Sequence, residues 1–96
     1  MGQVIGLGQL RSHTCGYLDR VVAGETIEVV RRGTLVARIV SARDGAEMCR
    51  MPTRPVALDE LRTRAGRCFD RVAAGETIEV VHRGRPVARI ASLGSA

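Results

Sequence analysis

The sequence predicts an α+β fold built from two tandem β-α-β-β modules. Residues 19–39 read DRVVAGETIEVVRRGTLVARI, and residues 70–90, each 51 positions later, read DRVAAGETIEVVHRGRPVARI. Four of these 21 aligned positions differ, so 17 are identical. Within each copy the apolar spacing changes from a helical period of about 3.6 residues to a strand period of about 2. A repeat at this level indicates that both copies adopt one fold.

The two modules are expected to pack against each other. The chain has 96 residues, and half of it approaches the size at which an isolated domain buries too little apolar surface to be stable. One Phe, one Tyr and no Trp are present, so the core must consist mainly of aliphatic side chains. We therefore predict an intrachain pseudo-dimer with modules at 1–43 and 54–96 and a linker at 44–53; the whole chain could also form a homodimer.

The first module begins with a predicted strand and helix. An apolar run predicts a strand at 4–7, and apolar residues at three- and four-residue steps predict a helix at 9–23. Gly24 lacks a Cβ and can adopt the left-handed conformation that ends a helix. Gly16 lies inside this helix, and Gly8 stands where a capping side chain would be, so the first helix is expected to be the weaker of the two.

The second module has the clearer pattern. Pro55 opens an apolar run at 55–58, which predicts an edge strand because proline cannot donate to a neighbouring strand. Asp59 is the candidate N-cap of a helix that begins at Glu60 and ends at Gly75. The apolar stripe of this helix consists of Leu58, Leu61, Ala65, Cys68, Phe69 and Val72.

Each module ends in a predicted β-hairpin. The strands are expected at 26–30, 35–40, 77–81 and 87–91. Their turns have the sequences RRGT and HRGR, in which glycine supplies the positive φ of a tight turn. Acidic and basic residues are expected to pair across each hairpin, and the candidates are Glu25, Glu28, Glu76 and Glu79 with Arg38 and Arg89.

The charge of the chain is compatible with a nucleic-acid partner. The formal net charge is +5, and all 15 basic residues are arginine, which makes bidentate contacts with phosphate and guanine. A GC-rich genome would also replace lysine by arginine without any selection for binding. Composition therefore favours a polyanionic partner only weakly.

The repeated motifs resemble the prevent-host-death (Phd/YefM) antitoxin family. The resemblance rests on Leu10-Arg11 and Leu61-Arg62 near the start of each helix, then DRV.AGETIEV, then RRG or HRG, then VARI. It implies an antitoxin of a bacterial type II toxin-antitoxin system, whose N-terminal module dimerises and binds operator DNA to repress its own operon. It also implies a cognate toxin, with a PIN-domain or RelE-like ribonuclease favoured over a Doc-type kinase.

The chain departs from the family in having a second module in place of the toxin-wrapping C-terminal segment. The resemblance therefore implies DNA binding more directly than toxin neutralisation. Within the predicted linker, Met48, Arg50 and Met51 are the candidate toxin contacts.

The candidate DNA-binding residues are basic side chains repeated in both modules. They are Arg11, Arg62, Arg31, Arg32, His82, Arg83 and Arg85. We expect them to form one cationic face, in which each neutralised phosphate steepens the salt dependence of binding by about 0.9 in log-log slope. A single such arginine is more often a solvated surface charge. The alternative function is a protein-interaction module that binds a toxin or a sister subunit without binding DNA.

The sequence gives no indication of an enzyme, a metal site or a cofactor. Cys15, Cys49 and Cys68 lie far apart, with no C-x2-C or H-x3-H pair and no phosphate-binding loop. The first residues lack the basic and apolar regions of an export signal. A cytoplasmic protein with reduced thiols and no membrane association is therefore expected.

Overall fold

The repeat of the sequence is also a repeat of structure. The computed structural model describes residues 2–42 and 53–92, and the α+β class is confirmed. Each element of the second half begins 51 positions after its counterpart in the first half. The elements are β1 (Gly2–Gly6), α1 (Leu7–Ser12), α2 (Thr14–Val22), β2 (Thr26–Arg31), β3 (Thr34–Ser41), β4 (Thr53–Ala57), α3 (Leu58–Thr63), α4 (Ala65–Ala73), β5 (Thr77–His82) and β6 (Arg85–Ser92).

The two halves share one six-stranded mixed sheet with the order β1-β2-β3-β6-β5-β4. The halves meet where β3 pairs antiparallel with β6, and Ile39 lies opposite Ile90 at the centre of this pairing. Ile39 and Ile90 are equivalent positions, so the register relates the halves by a pseudo-two-fold axis at this pair. The register is compatible with the predicted pseudo-dimer, whose module boundaries remain a prediction.

The helices cover one face of the sheet and close a single core. Helices α2 and α4 each contact both central strands, β3 and β6. All six residues of the apolar stripe predicted for the second helix are buried. Because the core cluster contains residues of both halves, each half completes the burial of the other.

The predicted single helix of each module is instead two short helices. The break lies at His13 and at Arg64, where the backbone leaves the helical region with φ near −134° and −129°. The apolar three- and four-residue spacing continues across Arg64, so the pattern could not reveal the change in direction. The break allows Leu61 and Phe69, on successive helices, both to reach the core.

The predicted helix starts were also wrong. Helices α1 and α3 begin at Leu7 and Leu58, and Asp59 lies in the first turn of α3 with no side-chain cap hydrogen bond. A carboxylate in this turn still interacts favourably with the helix dipole. The helix ends were predicted correctly, since Gly24 and Gly75 have φ of 112° and 104°.

A β-bulge recurs in both hairpins. Val29 pairs with Ala37 and Val30 pairs with Leu35, so Val36 is an extra residue on β3. The same shift occurs between β5 and β6. The bulge reverses the alternation of side chains, and Leu35 consequently lies on the face without helices, where it is 45% exposed.

Substitution of Ile39 by alanine should destabilise the whole chain. Ile39 is fully buried at the junction of the halves, and a buried Ile-to-Ala change typically costs about 2–5 kcal/mol. The matched control is Leu35→Ala on the same strand, which should cost less than about 1 kcal/mol because Leu35 is half exposed. Urea unfolding measures both. Equal losses for the two variants would contradict the observed junction.

Candidate nucleic-acid interface

Arg11 and Arg62 lie together where the two halves meet. Their helices, α1 and α3, contact each other. Both arginines line one open depression of about 320 Å³, together with Gly8 and Ser12. We call this site the Arg11–Arg62 depression. Two guanidinium groups at one depression form a site of concentrated positive charge, which suits an anionic ligand.

The two arginines differ in their surroundings. The Arg62 guanidinium lies 3.6 Å from the Asp59 carboxylate, and both side chains are exposed. The position that matches Asp59 in the first half is Gly8, and within the described residues Arg11 has no ion pair. An exposed pair of this kind is weak, so Arg62 can exchange Asp59 for another anion.

The hairpin turns hold basic residues in tight two-residue loops. Arg32 and Arg83 have φ of 54°, and each is followed by a glycine with positive φ. Positive φ at both central residues characterises the type I′ turn, whose twist matches that of the flanking strands. A non-glycine residue in this conformation carries strain of roughly 1 kcal/mol.

The two turns lie at opposite ends of the central strand pair. Thr34 precedes Ile39 by five positions, and Arg85 precedes Ile90 by five positions on the antiparallel strand. At about 3.3 Å per residue, the turns are roughly 33 Å apart. The structure therefore brings Arg11 and Arg62 together, whereas it separates Arg32 from the pair Arg83 and Arg85.

Arg31 forms an ion pair between the halves. Its guanidinium donates to the Asp70 carboxylate on α4, and the two side chains are 28% and 63% exposed. This contact was not predictable from local patterns, because Asp70 is 39 positions away and on the other module. The pair ties the end of the first hairpin to a helix of the second half.

The second half differs at the matching place. His82 replaces Arg31, and it lines a small depression of about 80 Å³ together with Leu18 and Asp19. Asp19 is the counterpart of Asp70, and Leu18 is the counterpart of the larger, buried Phe69. The two ends of the molecule are thus chemically distinct.

Charged ladders lie on the sheet face without helices. Arg38 and Glu28 are 3.7 Å apart, and Arg89 and Glu79 are 3.2 Å apart. The prediction that glutamate and arginine pair across each hairpin is confirmed for these two pairs. Because these arginines are partnered by carboxylates, this face is less cationic than its sequence suggests.

A larger groove lies beside the edge strand β1. It has a volume of about 530 Å³, and it is lined by Gln3, Gly8, Gln9, Ser12, His13, Gly16, Tyr17 and Arg20. Arg20 donates from Nη1 to Oε1 of Gln3 at 2.6 Å, which joins α2 to β1 across the groove. We call it the β1 groove. No sequence motif marks this site, since its residues belong to three separate elements.

Other predicted features are only partly covered by the structure. The candidate toxin contacts Met48, Arg50 and Met51 lie outside the described residues, as does most of the predicted linker. In the described parts of the chain, no group of three His, Cys, Asp or Glu side chains is arranged to hold a metal ion. None of the helices described is long and apolar enough to span a membrane.

Comparison with known proteins finds related antitoxins. Over 38 residues the chain is 47% identical to Antitoxin VapB47 of Mycobacterium tuberculosis (strain ATCC 25618 / H37Rv), and equally to the protein of the same name in strain CDC 1551 / Oshkosh. An uncharacterized Mycobacterium bovis protein, Mb3441, matches to the same extent. The match covers 40% of this chain and 38% of each relative. No family model and no solved structure matches.

Removal of the inter-half ion pair should lower stability modestly. Asp70→Asn is expected to reduce the free energy of unfolding by up to about 1 kcal/mol, because the pair is partly exposed, and added salt should shrink the difference. Asp19→Asn is the matched control, since Asp19 is the counterpart of Asp70 and lines one depression with His82 instead of pairing with an arginine. Urea unfolding at low and high salt measures both variants. An equal loss for both at neutral pH would show that the arginine pair contributes nothing.

The two described cysteines should differ in reactivity. Cys15 is exposed and Cys68 is buried; burial raises the pKa of the Cys68 thiol, and the Glu60 carboxylate adds to this effect. Folding favours the protonated Cys68 thiol, so the stability that this preference contributes is lost as pH rises from the ordinary pKa of a thiol to the raised pKa of Cys68. Iodoacetamide labelling followed by peptide mass spectrometry should modify Cys15 first, and Cys68 increasingly at alkaline pH. Rapid Cys68 labelling at neutral pH would contradict its burial.

Proposed function

We propose that this protein is the antitoxin of a bacterial toxin-antitoxin pair, that it binds operator DNA, and that it neutralises a cognate toxin. The proposed role is regulatory and involves no catalysis. The toxin we favour is a PIN-domain or RelE-like ribonuclease, on the basis of the resemblance to Phd/YefM antitoxins. The observation that carries the DNA-binding part is the meeting of Arg11 and Arg62 at one depression.

The related proteins support the antitoxin role. Relatives named Antitoxin VapB47 share 47% identity with this chain over 38 residues. They do not specify the partner of this chain, because the match covers 38% of their length. The antitoxin role therefore rests on these relatives together with the repeated motifs.

The geometry supports DNA contact at the pseudo-two-fold axis. B-DNA has local two-fold symmetry, and proteins with matching symmetry bind palindromic sites with equivalent residues on each half-site. Arg11 and Arg62 are equivalent residues of the two halves. From the depression Arg11 can reach phosphates or guanine edges directly, and Arg62 can do so by exchanging its weak, exposed contact with Asp59. We infer that they contact the centre of an imperfectly palindromic operator.

The separation of the hairpin turns supports the alternative function. Arg31 is engaged with Asp70, and the two turns are roughly 33 Å apart by strand geometry. If the turns do not reach DNA, the cationic surface available to DNA is limited to the Arg11–Arg62 depression. The better description of the protein is then a protein-interaction module that binds a toxin or sister subunit without binding DNA. In that function the arginines would contact carboxylates of the partner.

A mobility-shift assay on the upstream promoter distinguishes the two functions. At about 150 mM salt, where contacts to phosphate remain measurable, the protein should retard promoter DNA, and Arg11→Ala and Arg62→Ala should each reduce the salt slope by about 1. Arg38→Ala is the matched control, because Arg38 lies on the sheet face without helices and pairs with Glu28. A complete lack of promoter binding, beside a stable complex with the neighbouring gene product, would favour the alternative.

Toxin neutralisation has its own test. We expect the adjacent reading frame to encode a small ribonuclease, and co-expression of this protein should restore growth to cells that produce the ribonuclease. A catalytically inactive form of the ribonuclease should co-purify with this protein. Growth arrest that persists despite folded antitoxin would contradict the neutralising role.

A further inference from the structure

We propose that the β1 edge and the β1 groove together dock an extended, acidic segment of a partner protein, which adds to the sheet as a seventh strand. This inference goes beyond the proposed function and requires neither DNA binding nor a toxin partner. It rests on the hydrogen-bonding direction of β1, on a difference between the two edges of the sheet, and on the charge of the groove.

The outward-facing donors of β1 can be identified from the structure. The Gly6 N–H donates to Oε1 of Gln9 at 3.1 Å, so it points away from β2. Backbone groups alternate in direction along a strand, and Val4, two positions earlier, therefore directs its N–H and C=O to the open edge. Val4 as a residue is 56% exposed, which is consistent with an edge position that a further strand can reach.

The opposite edge of the sheet is blocked at the equivalent position. Pro55 of β4 matches Val4 of β1, and it has no N–H to offer. Proline on an edge strand is a common means of preventing strand addition. Strand β1 contains neither proline nor a charged residue. Among the described residues, the sheet therefore has a proline-protected edge at β4 and an edge at β1 without such protection.

The groove supplies charge complementarity beside the open edge. Its eight lining residues include Arg20 and His13 and no carboxylate. One Arg20 donor is held by Gln3, and the other guanidinium donors remain for a carboxylate. In the second half, the corresponding depression is only about 70 Å³, and Glu60 lies there among Arg64, Arg67 and Arg71. The two sites therefore differ in size and in the presence of a carboxylate that competes for the arginines.

A strand at the β1 edge would present alternate side chains to two environments. Those on the helix side would enter the β1 groove near Arg20, where aspartate or glutamate is favoured. Those on the other side would lie beside the exposed Val4, where a small apolar residue is favoured. The predicted ligand is therefore an extended segment that alternates apolar and acidic residues, bound by strand addition.

Peptide binding to the full chain tests this proposal. The probes are a fluorescein-labelled peptide of alternating valine and glutamate and a matched peptide of alternating valine and lysine, measured by fluorescence anisotropy. The acidic peptide should bind more tightly. Val4→Pro introduces the proline that β4 has at the matching position, Pro55, and should weaken binding about tenfold or more. Arg20→Gln should abolish the preference for glutamate. Arg71→Gln is the matched control on the blocked edge and should have no effect.

Amide hydrogen exchange gives a second readout that does not depend on the stability of a variant. Saturation with the acidic peptide should slow exchange of the Val4 amide in the unsubstituted protein. Unchanged Val4 exchange, equal effects of Arg20→Gln and Arg71→Gln, or no binding of either peptide at millimolar concentration would overturn the proposal. It would also be overturned by self-association of the chain that Val4→Pro abolishes, since the occupant would then be a second copy.

Discussion

The antiparallel pairing of β3 with β6 is the contact on which the rest of the molecule depends. Each half has three strands and two short helices, and its buried side chains form a cluster that is closed only with residues of the other half. A core without tryptophan and with one phenylalanine leaves little surplus stability. The central strands therefore bring together two incomplete cores and also place α1 beside α3, which positions the candidate DNA-binding arginines.

The sequence predicted the fold class because the patterns that indicate it are local. The alternation of the hairpins, the closing glycines Gly24 and Gly75, and the buried stripe of the second helix all follow from spacing within one module. The break at Arg64 was not predictable in this way, because Leu61 and Ala65, on either side of it, keep the four-residue spacing of a continuous helix. Helix direction at this point depends on packing against the sheet, which the period alone does not encode.

The candidate site was predictable in its residues and not in its arrangement. Arg11 and Arg62 were identified as a repeated pair, and the structure brings them to one depression. The antiparallel pairing of β3 with β6, however, places the two hairpin turns at opposite ends of the central strands. This placement depends on the register between Ile39 and Ile90, and the sequence of one module does not contain that information. The β1 groove was missed for a related reason, because Gln3 and Arg20 meet only after the strand and helix have folded together.

The presence of both halves in one chain changes how they can evolve. In a symmetric homodimer every substitution occurs twice, so a histidine in place of Arg31 would remove both ion pairs at once. Here Arg31 keeps its contact with Asp70, while His82 occupies the matched position and lines one depression with Asp19. Likewise, the matched positions of the two edge strands differ, with Pro55 in β4 and Val4 in β1. Each side of the molecule can thus specialise for a different ligand. Two modules encoded by separate genes could also form homodimers, whereas modules joined in one chain pair with each other.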